Sequence, residues 1–159
     1  ITPSSSPARM REILHHIEIA EAKDTSKLGE TLSGIAERSG KRKVVAVFSD
    51  FIEEEDQLLR SLRLLHSRRH DVLLFHVFDN SEVTFPFNEQ LSFAGLEGEG
   101  ALRLEPSRLR NIYMDELNRH ISMVRNAARE LSMDYLPVVT DRSLAEILSA
   151  YLVSRSARK

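Results

Sequence analysis

The chain has 159 residues, 42% of them apolar and 29% charged, which favours a single domain with a real core. A net charge of -2 supplies no strong field to recruit nucleic acid or an anionic membrane, and the absence of cysteine excludes disulfides, thiolate metal sites and a cysteine nucleophile. No apolar run approaches the length that spans a bilayer, and no signal-peptide pattern is present, so this chain reads as soluble, with no direct membrane contact. It starts at Ile1, not Met, and the expectation is a piece of a longer protein.

In chain order, Ile1 to Pro7 is rich in Ser and Pro and reads as a linker. Met10, Ile13, Leu14 and Ile17 then recur at helical spacing, which predicts a helix from Ala8 to about Glu21. Asp24-Thr25-Ser26 is a cluster of cap-type residues. Leu28, Leu32 and Ile35 after it predict a second helix to about Arg38, stopped by Gly40. Val44 to Phe48 is a short β-branched run bounded by a basic cluster, Lys41 to Lys43, and by Ser49-Asp50. It predicts a parallel strand buried on both faces, with Asp50 at its carboxyl end. Ligands of open α/β sheets bind in the crevice beyond such strand ends.

Glu53 to Asp56 opens a helix where negative charge suits the macrodipole, with Leu58, Leu59, Leu62 and Leu65 as its apolar stripe and Arg68, Arg69 and His70 at its end. Val72 to Val77 predicts a second buried strand, completing a βαβ unit. The alternation of Val83, Phe85 and Phe87, then Leu91, Phe93, Leu102 and Leu104, predicts an inserted antiparallel meander over residues 81–105. A long helix from Pro106 turns Leu109, Ile112, Tyr113, Leu117, Ile121, Val124, Ala128 and Leu131 inward. Tyr135 to Val139 is the third strand, placed at a sheet edge because Pro137 donates no ladder bond. Ser143 caps a last helix with Leu144, Ile147, Leu148, Tyr151 and Leu152 on one face. Three strands are few for this many helices, so further strands of the parent sheet are expected before Ile1.

Several short motifs in this order are similar to one family. They are Asp24-Thr25-Ser26-Lys27-Leu28 before a helix, Val47-Phe48-Ser49-Asp50-Phe51 at a strand end, and Arg69-His70-Asp71-Val72. Phe85-Pro86-Phe87, Asp134-Tyr135 and Thr140-Asp141-Arg142 complete the set. The chain resembles the C-terminal half of the bacterial "domain of unknown function 58" family, which looks like a variant of the von Willebrand factor A fold. That fold carries a metal-ion-dependent adhesion site built from a D-x-S-x-S loop, a Thr and a strand-end Asp. The resemblance puts Thr25 in the place of the Thr and Asp50 in that of the Asp. No D-x-S-x-S stands here. Asp79-Asn80-Ser81-Glu82-Val83 begins like it, but lacks the second Ser and follows the wrong strand. Mg²⁺ demands near-ideal octahedral oxygen geometry. The implication is a Mg²⁺ site in the intact protein and none in this chain alone.

Each candidate residue has a plainer role beside the chemical one. Asp50 is a ligand or water-holder for the cation, or a strand-end carboxylate capping the next helix; the resemblance favours the ligand. Thr25 is a ligand or an ordinary N-cap. His66 and His70 share a ligand-like spacing without an acid between them, and favourable interaction with the helix end explains them better. Glu53 to Asp56 reads as a solvated helix start, Thr140 to Ser143 as a turn and cap, and His76 as part of a buried run. There is no GxxxxGK[ST], GxGxxG or GxSxG pattern.

The expected fold is therefore α/β, a three-layer Rossmann-like, von Willebrand A-like parallel sheet, incomplete, with the inserted meander. The expected function is a non-enzymatic protein-interaction module whose parent protein is anchored on the cytoplasmic side of a bacterial membrane. By resemblance its partner is a MoxR-type AAA+ ATPase. The rival is a metal-dependent hydrolase using Asp50. Because the predicted strand Val44 to Phe48 lacks a neighbour on one side, a homodimer across that edge is also expected.

Overall fold

The computed structural model describes residues 6–21, 27–38, 40–87, 91–94, 101–104 and 106–156. Helix α1 spans Pro7–Glu18 and α2 Leu28–Arg38; strand β1 is Val44–Ser49, followed by α3 (Glu55–Ser67) and β2 (Asp71–Phe78). A short helix, α4 (Asn80–Thr84), precedes strands β3 (Leu91–Ala94) and β4 (Ala101–Leu104). The long helix α5 (Pro106–Glu130), strand β5 (Asp134–Val139) and helix α6 (Leu144–Ser156) complete the order.

Strands β1, β2 and β5 form one parallel sheet in that order. The central strand is the most buried, with Val72 to His76 all buried, as a parallel strand covered on both faces requires. Alternation divides its side chains between two cores. Val72 and Leu74 join Val47 beneath α2, α3 and α5, among Leu32, Ala36, Leu58, Leu62, Leu65, Val124 and Ala128. Leu73 and Phe75 face the other way with Leu136 and Val138, covered by Ile147, Leu148 and Tyr151 of α6. At the amino end of the sheet Arg155 holds α6 down. It pairs with Asp71 at 2.5 Å and with Asp134 at 3.1 Å, and the Tyr151 hydroxyl donates to Asp134 at 2.6 Å. β5 is an edge strand, where Pro137 leaves no ladder bond unmade.

Of the meander expected over 81–105, the first stretch is corrected. Residues 80–84 are helical, because Asp79 and Glu82 form a capping box: the Asp79 carboxylate accepts from Ser81 N–H at 2.8 Å and Glu82 accepts from Asp79 N–H at 2.8 Å. The alternation of Val83 and Phe85 thus comes from a helix end. Phe85 adopts φ 44° as the C-cap and buries its ring against Tyr113, 5.0 Å away, while Arg110 donates to the carbonyls of Thr84 and Phe85. Beyond this helix, β3 and β4 make a two-stranded antiparallel pair with Leu91 opposite Leu104 and Phe93 opposite Leu102.

Helix α1 ends at Glu18, short of the expected Glu21, and buries none of its residues. Ile112, Leu144 and Leu152, expected inward, are exposed, as are Val44 and Phe48 on the strand expected to be buried on both faces. The cause is common to them. Three strands offer less apolar surface than the helical stripes and the outer face of β1 bring to it, and α6 covers only the β2 and β5 side.

Candidate functional site at the carboxyl end of the sheet

Asp50 follows the last residue of β1 directly and its side chain is exposed. Its Oδ1 accepts from Ile52 N–H at 3.1 Å and lies 3.5 Å from the Ser49 hydroxyl, which itself accepts from Phe51 N–H at 3.0 Å. These local bonds fold the chain into a tight turn, the alternative to a strand ladder that Ser and Asp side chains offer. Phe51 completes it at φ 57°, a left-handed conformation that costs a non-glycine residue about 1–2 kcal/mol. Complete burial of the Phe51 ring, edge-on to His76 at 5.1 Å, offsets that cost. The turn therefore holds the Asp50 carboxylate outward beside the exposed Ile52.

Two other elements converge here. The Glu53 carboxylate accepts from Gly29 N–H at 2.7 Å, satisfying an orphan donor in the first turn of α2 and bringing the start of that helix to the same end of the sheet. From α5, His120 Nε2 lies 2.9 Å from the Asp50 carbonyl; since a carbonyl only accepts, Nε2 carries the proton. The His120 ring stands edge-on to His76, 5.2 Å between centroids. His76 is completely buried, with Nδ1 2.9 Å from the Tyr135 hydroxyl and no protein partner for Nε2 among the described residues. Burial above all, helped by His120 and Arg125 and opposed by Asp50, lowers its pKa to about 4, so it is neutral at neutral pH. A groove of about 260 Å³ opens between Asp50, Ile52, Phe78, Glu82, Glu116 and His120.

At the neighbouring strand end, Asp79 is spent on structure. Ser81 donates to it from its hydroxyl at 2.5 Å and from its N–H, and the Thr140 hydroxyl lies 3.5 Å from its other oxygen. The two Ser81 bonds hold its carboxyl below the usual range. The segment that begins like D-x-S-x-S is thus an N-cap. His66 is exposed, whereas His70 is buried and accepts from Lys43 N–H at 3.2 Å, pinning the start of β1.

Thr25, the second expected ligand, lies outside the described residues. Among the described residues no group of three or more His, Cys, Asp or Glu side chains is placed to hold a metal ion. Asp50 brings one carboxylate to a cation that needs about six oxygens, so these residues by themselves do not fit Mg²⁺. Sequence reasoning passed over His120, and placed Tyr135 in a strand and a motif without its bond to His76. Position 120 falls three after Leu117 and four before Val124, on the inward stripe of α5, and that spacing is the signal that marks it.

The family model "Protein of unknown function DUF58" matches residues 1–123, from α1 into α5. Asp134-Tyr135 and Thr140 to Arg142 lie beyond the match. No curated protein and no solved structure matches the chain. No described helix is long and apolar enough to cross a membrane. With the match covering most of its length, including β1, Asp50 and β2, the chain belongs to the DUF58 family.

Proposed function

We propose that the chain is a non-enzymatic protein-interaction module of a von Willebrand A-like fold, which contacts its partner through the carboxyl end of β1. The observation that carries this reading is the turn at Asp50. It presents an exposed carboxylate with one oxygen already fixed, next to exposed Ile52 and beside the groove. An oriented charge beside apolar surface suits recognition of a protein. In the intact protein, Asp50 and Thr25 would join ligands that the described residues do not provide around a divalent cation such as Mg²⁺. That cation would supply a bridge to an acidic group of the partner. The resemblance to the family suggests a MoxR-type AAA+ ATPase as that partner and a parent protein anchored on the cytoplasmic side of the membrane.

The chain's own contribution is positional. Ser49 and Ile52 N–H orient Asp50, Phe51 anchors the turn, and His120 clamps the Asp50 carbonyl from α5. A hydrolase at this end would need a side chain free to move a proton. His76 is buried and neutral, and the His120 proton is engaged by a main-chain carbonyl, which favours binding over hydrolysis.

The test measures affinity of the intact protein for a MoxR-type ATPase with and without EDTA, for wild type and Asp50→Ala. Loss of a charged contact should weaken binding by at least about tenfold in the variant, with unchanged circular dichroism, and EDTA should do the same to wild type. Wild-type affinity in Asp50→Ala removes this reading. Equal affinity with and without EDTA removes the cation from it.

A further inference from the structure

We propose that the groove around the outer edge of β5 binds a soluble phosphomonoester with an apolar body, its phosphoryl group held by Arg125, Arg129 and the Tyr135 N–H. The groove holds about 920 Å³ between the end of α5, the start of β5 and the middle of α6. Cavities of that size take small organic ligands. Its walls all lie in these elements and in the turn at Ser132. Pro137 cannot donate inside a ladder, so strands that extend this sheet join at β1, on the other side.

One end of the groove is cationic. Four positions apart on α5, Arg125 and Arg129 share a helix face and are exposed. Among the described residues neither is paired with a carboxylate: Arg125 lies over the Tyr135 ring at 5.5 Å, and Arg129 donates to the Asn126 side chain at 3.1 Å. Asp134, the acid on the wall, is already tied to Tyr151 and Arg155. Two guanidinium charges therefore line the groove without a counter-charge. A main-chain donor joins them. Thr140 N–H donates to the Phe78 carbonyl, so the even-numbered residues of β5 bond to β2 and Tyr135 turns its N–H outward, beside Arg125.

Charge and shape select the ligand class. A phosphomonoester brings about two negative charges at neutral pH and three terminal oxygens, which match two guanidinium forks and one N–H. A carboxylate brings one charge and leaves an arginine uncompensated. A bare phosphate ion leaves most of the volume unused, and the rest of the wall is apolar. Leu136 points to the face of β5 opposite Tyr135 and packs with Ile147 of α6, and Ala150 lies about one turn beyond Ile147. An apolar body that follows the phosphoryl group around the strand edge lies against this surface.

Isothermal titration of the intact protein with phenyl phosphate, a soluble phosphomonoester with an aromatic body, tests the proposal. Wild type should bind it with a dissociation constant below about 1 mM, and should bind inorganic phosphate and phenol each at least about tenfold more weakly. Arg129→Glu should weaken phenyl phosphate by at least about tenfold with unchanged circular dichroism, because Arg129 and its partner Asn126 are both exposed. Arg129→Lys keeps the charge without the fork and should fall between the two. Ala150→Trp fills the apolar end; it should weaken phenyl phosphate and leave inorganic phosphate unchanged. The absence of saturable binding to wild type overturns the proposal, and so does binding indifferent to Arg129→Glu. Inorganic phosphate bound as tightly as phenyl phosphate overturns the apolar body. Binding of phosphatidic acid in detergent micelles, with none of phenyl phosphate, overturns the soluble source.

Discussion

Among the described residues the sheet has two outer edges, and they are built to opposite specifications. On β5 the Thr140 N–H bond to the Phe78 carbonyl sets the parity, so that Pro137 turns its missing donor to the outside. Arg125 lies over the Tyr135 ring at 5.5 Å, and Tyr135 reaches back to His76 of the central strand. Asp134 is tied to Tyr151 and Arg155, and α6 lies over the strand's inner face. On β1 the outward donors are all present, the side chains above them are bare, and its flanking charges are segregated by sign. Both edges border the same central strand, yet one is closed by side chains and a proline while the other keeps all its outward main-chain donors. An edge protected on one side only is the arrangement expected of a sheet that continues in one direction.

The largest effect tests the closed side through its buried histidine. Between its ordinary pKa of 6.5 and its folded value of about 4, His76 takes up a proton in the unfolded chain and not in the folded one. Stability is therefore unaffected by this group above about pH 6.5, falls as pH drops below that, and is lower by about 3 kcal/mol near pH 4. Urea unfolding at pH 7.5, 5.5 and 4.5 should show this slope in wild type and a flatter one in His76→Gln. Parallel slopes would mean that the cavity around His76 is wetter than its complete burial implies.

A smaller effect is expected from the bond that ties β5 to β2. Tyr135→Phe leaves the ring in place and strands His76 Nδ1 without its partner, at a cost of about 1–3 kcal/mol. An unchanged denaturation midpoint would show that the hydroxyl is dispensable to the closed edge. The smallest effect on stability is expected from Pro137→Ala, which loses under about 1 kcal/mol through a more flexible unfolded chain. Its consequence for association is larger. The new N–H completes the outer row of β5, so sedimentation should show association through this edge that the wild type lacks. Its absence would show that Arg125, lying over Tyr135, protects this edge without the proline.

How much was legible depended on how local the cause was. The parallel strands and the helices between them came from β-branched runs and from Leu58, Leu62 and Leu65 at helical spacing, because burial of a periodic face is written into consecutive residues. The edge position of β5 came from one proline. Residues 81–85 misled because the alternation of Val83 and Phe85 fits a strand as well as a helix end, and the capping box of Asp79 and Glu82 decided between them. Asp50 was found from its place after β1. His120 was not, since seventy positions separate it from the carbonyl it binds.

By itself, then, the sequence determined the α/β class, the family, the direction of the strands and the residue standing at the end of β1, all of which depend on neighbours within a few positions. Only the tertiary structure decided that Phe51 locks the Asp50 turn, that Glu53 closes the start of α2, and that His76 is buried neutral beneath His120. It also decided which face of β1 lies bare. Those outcomes depend on which helix covers which part of the sheet, and coverage is a property of three-dimensional packing that no stretch of chain carries alone.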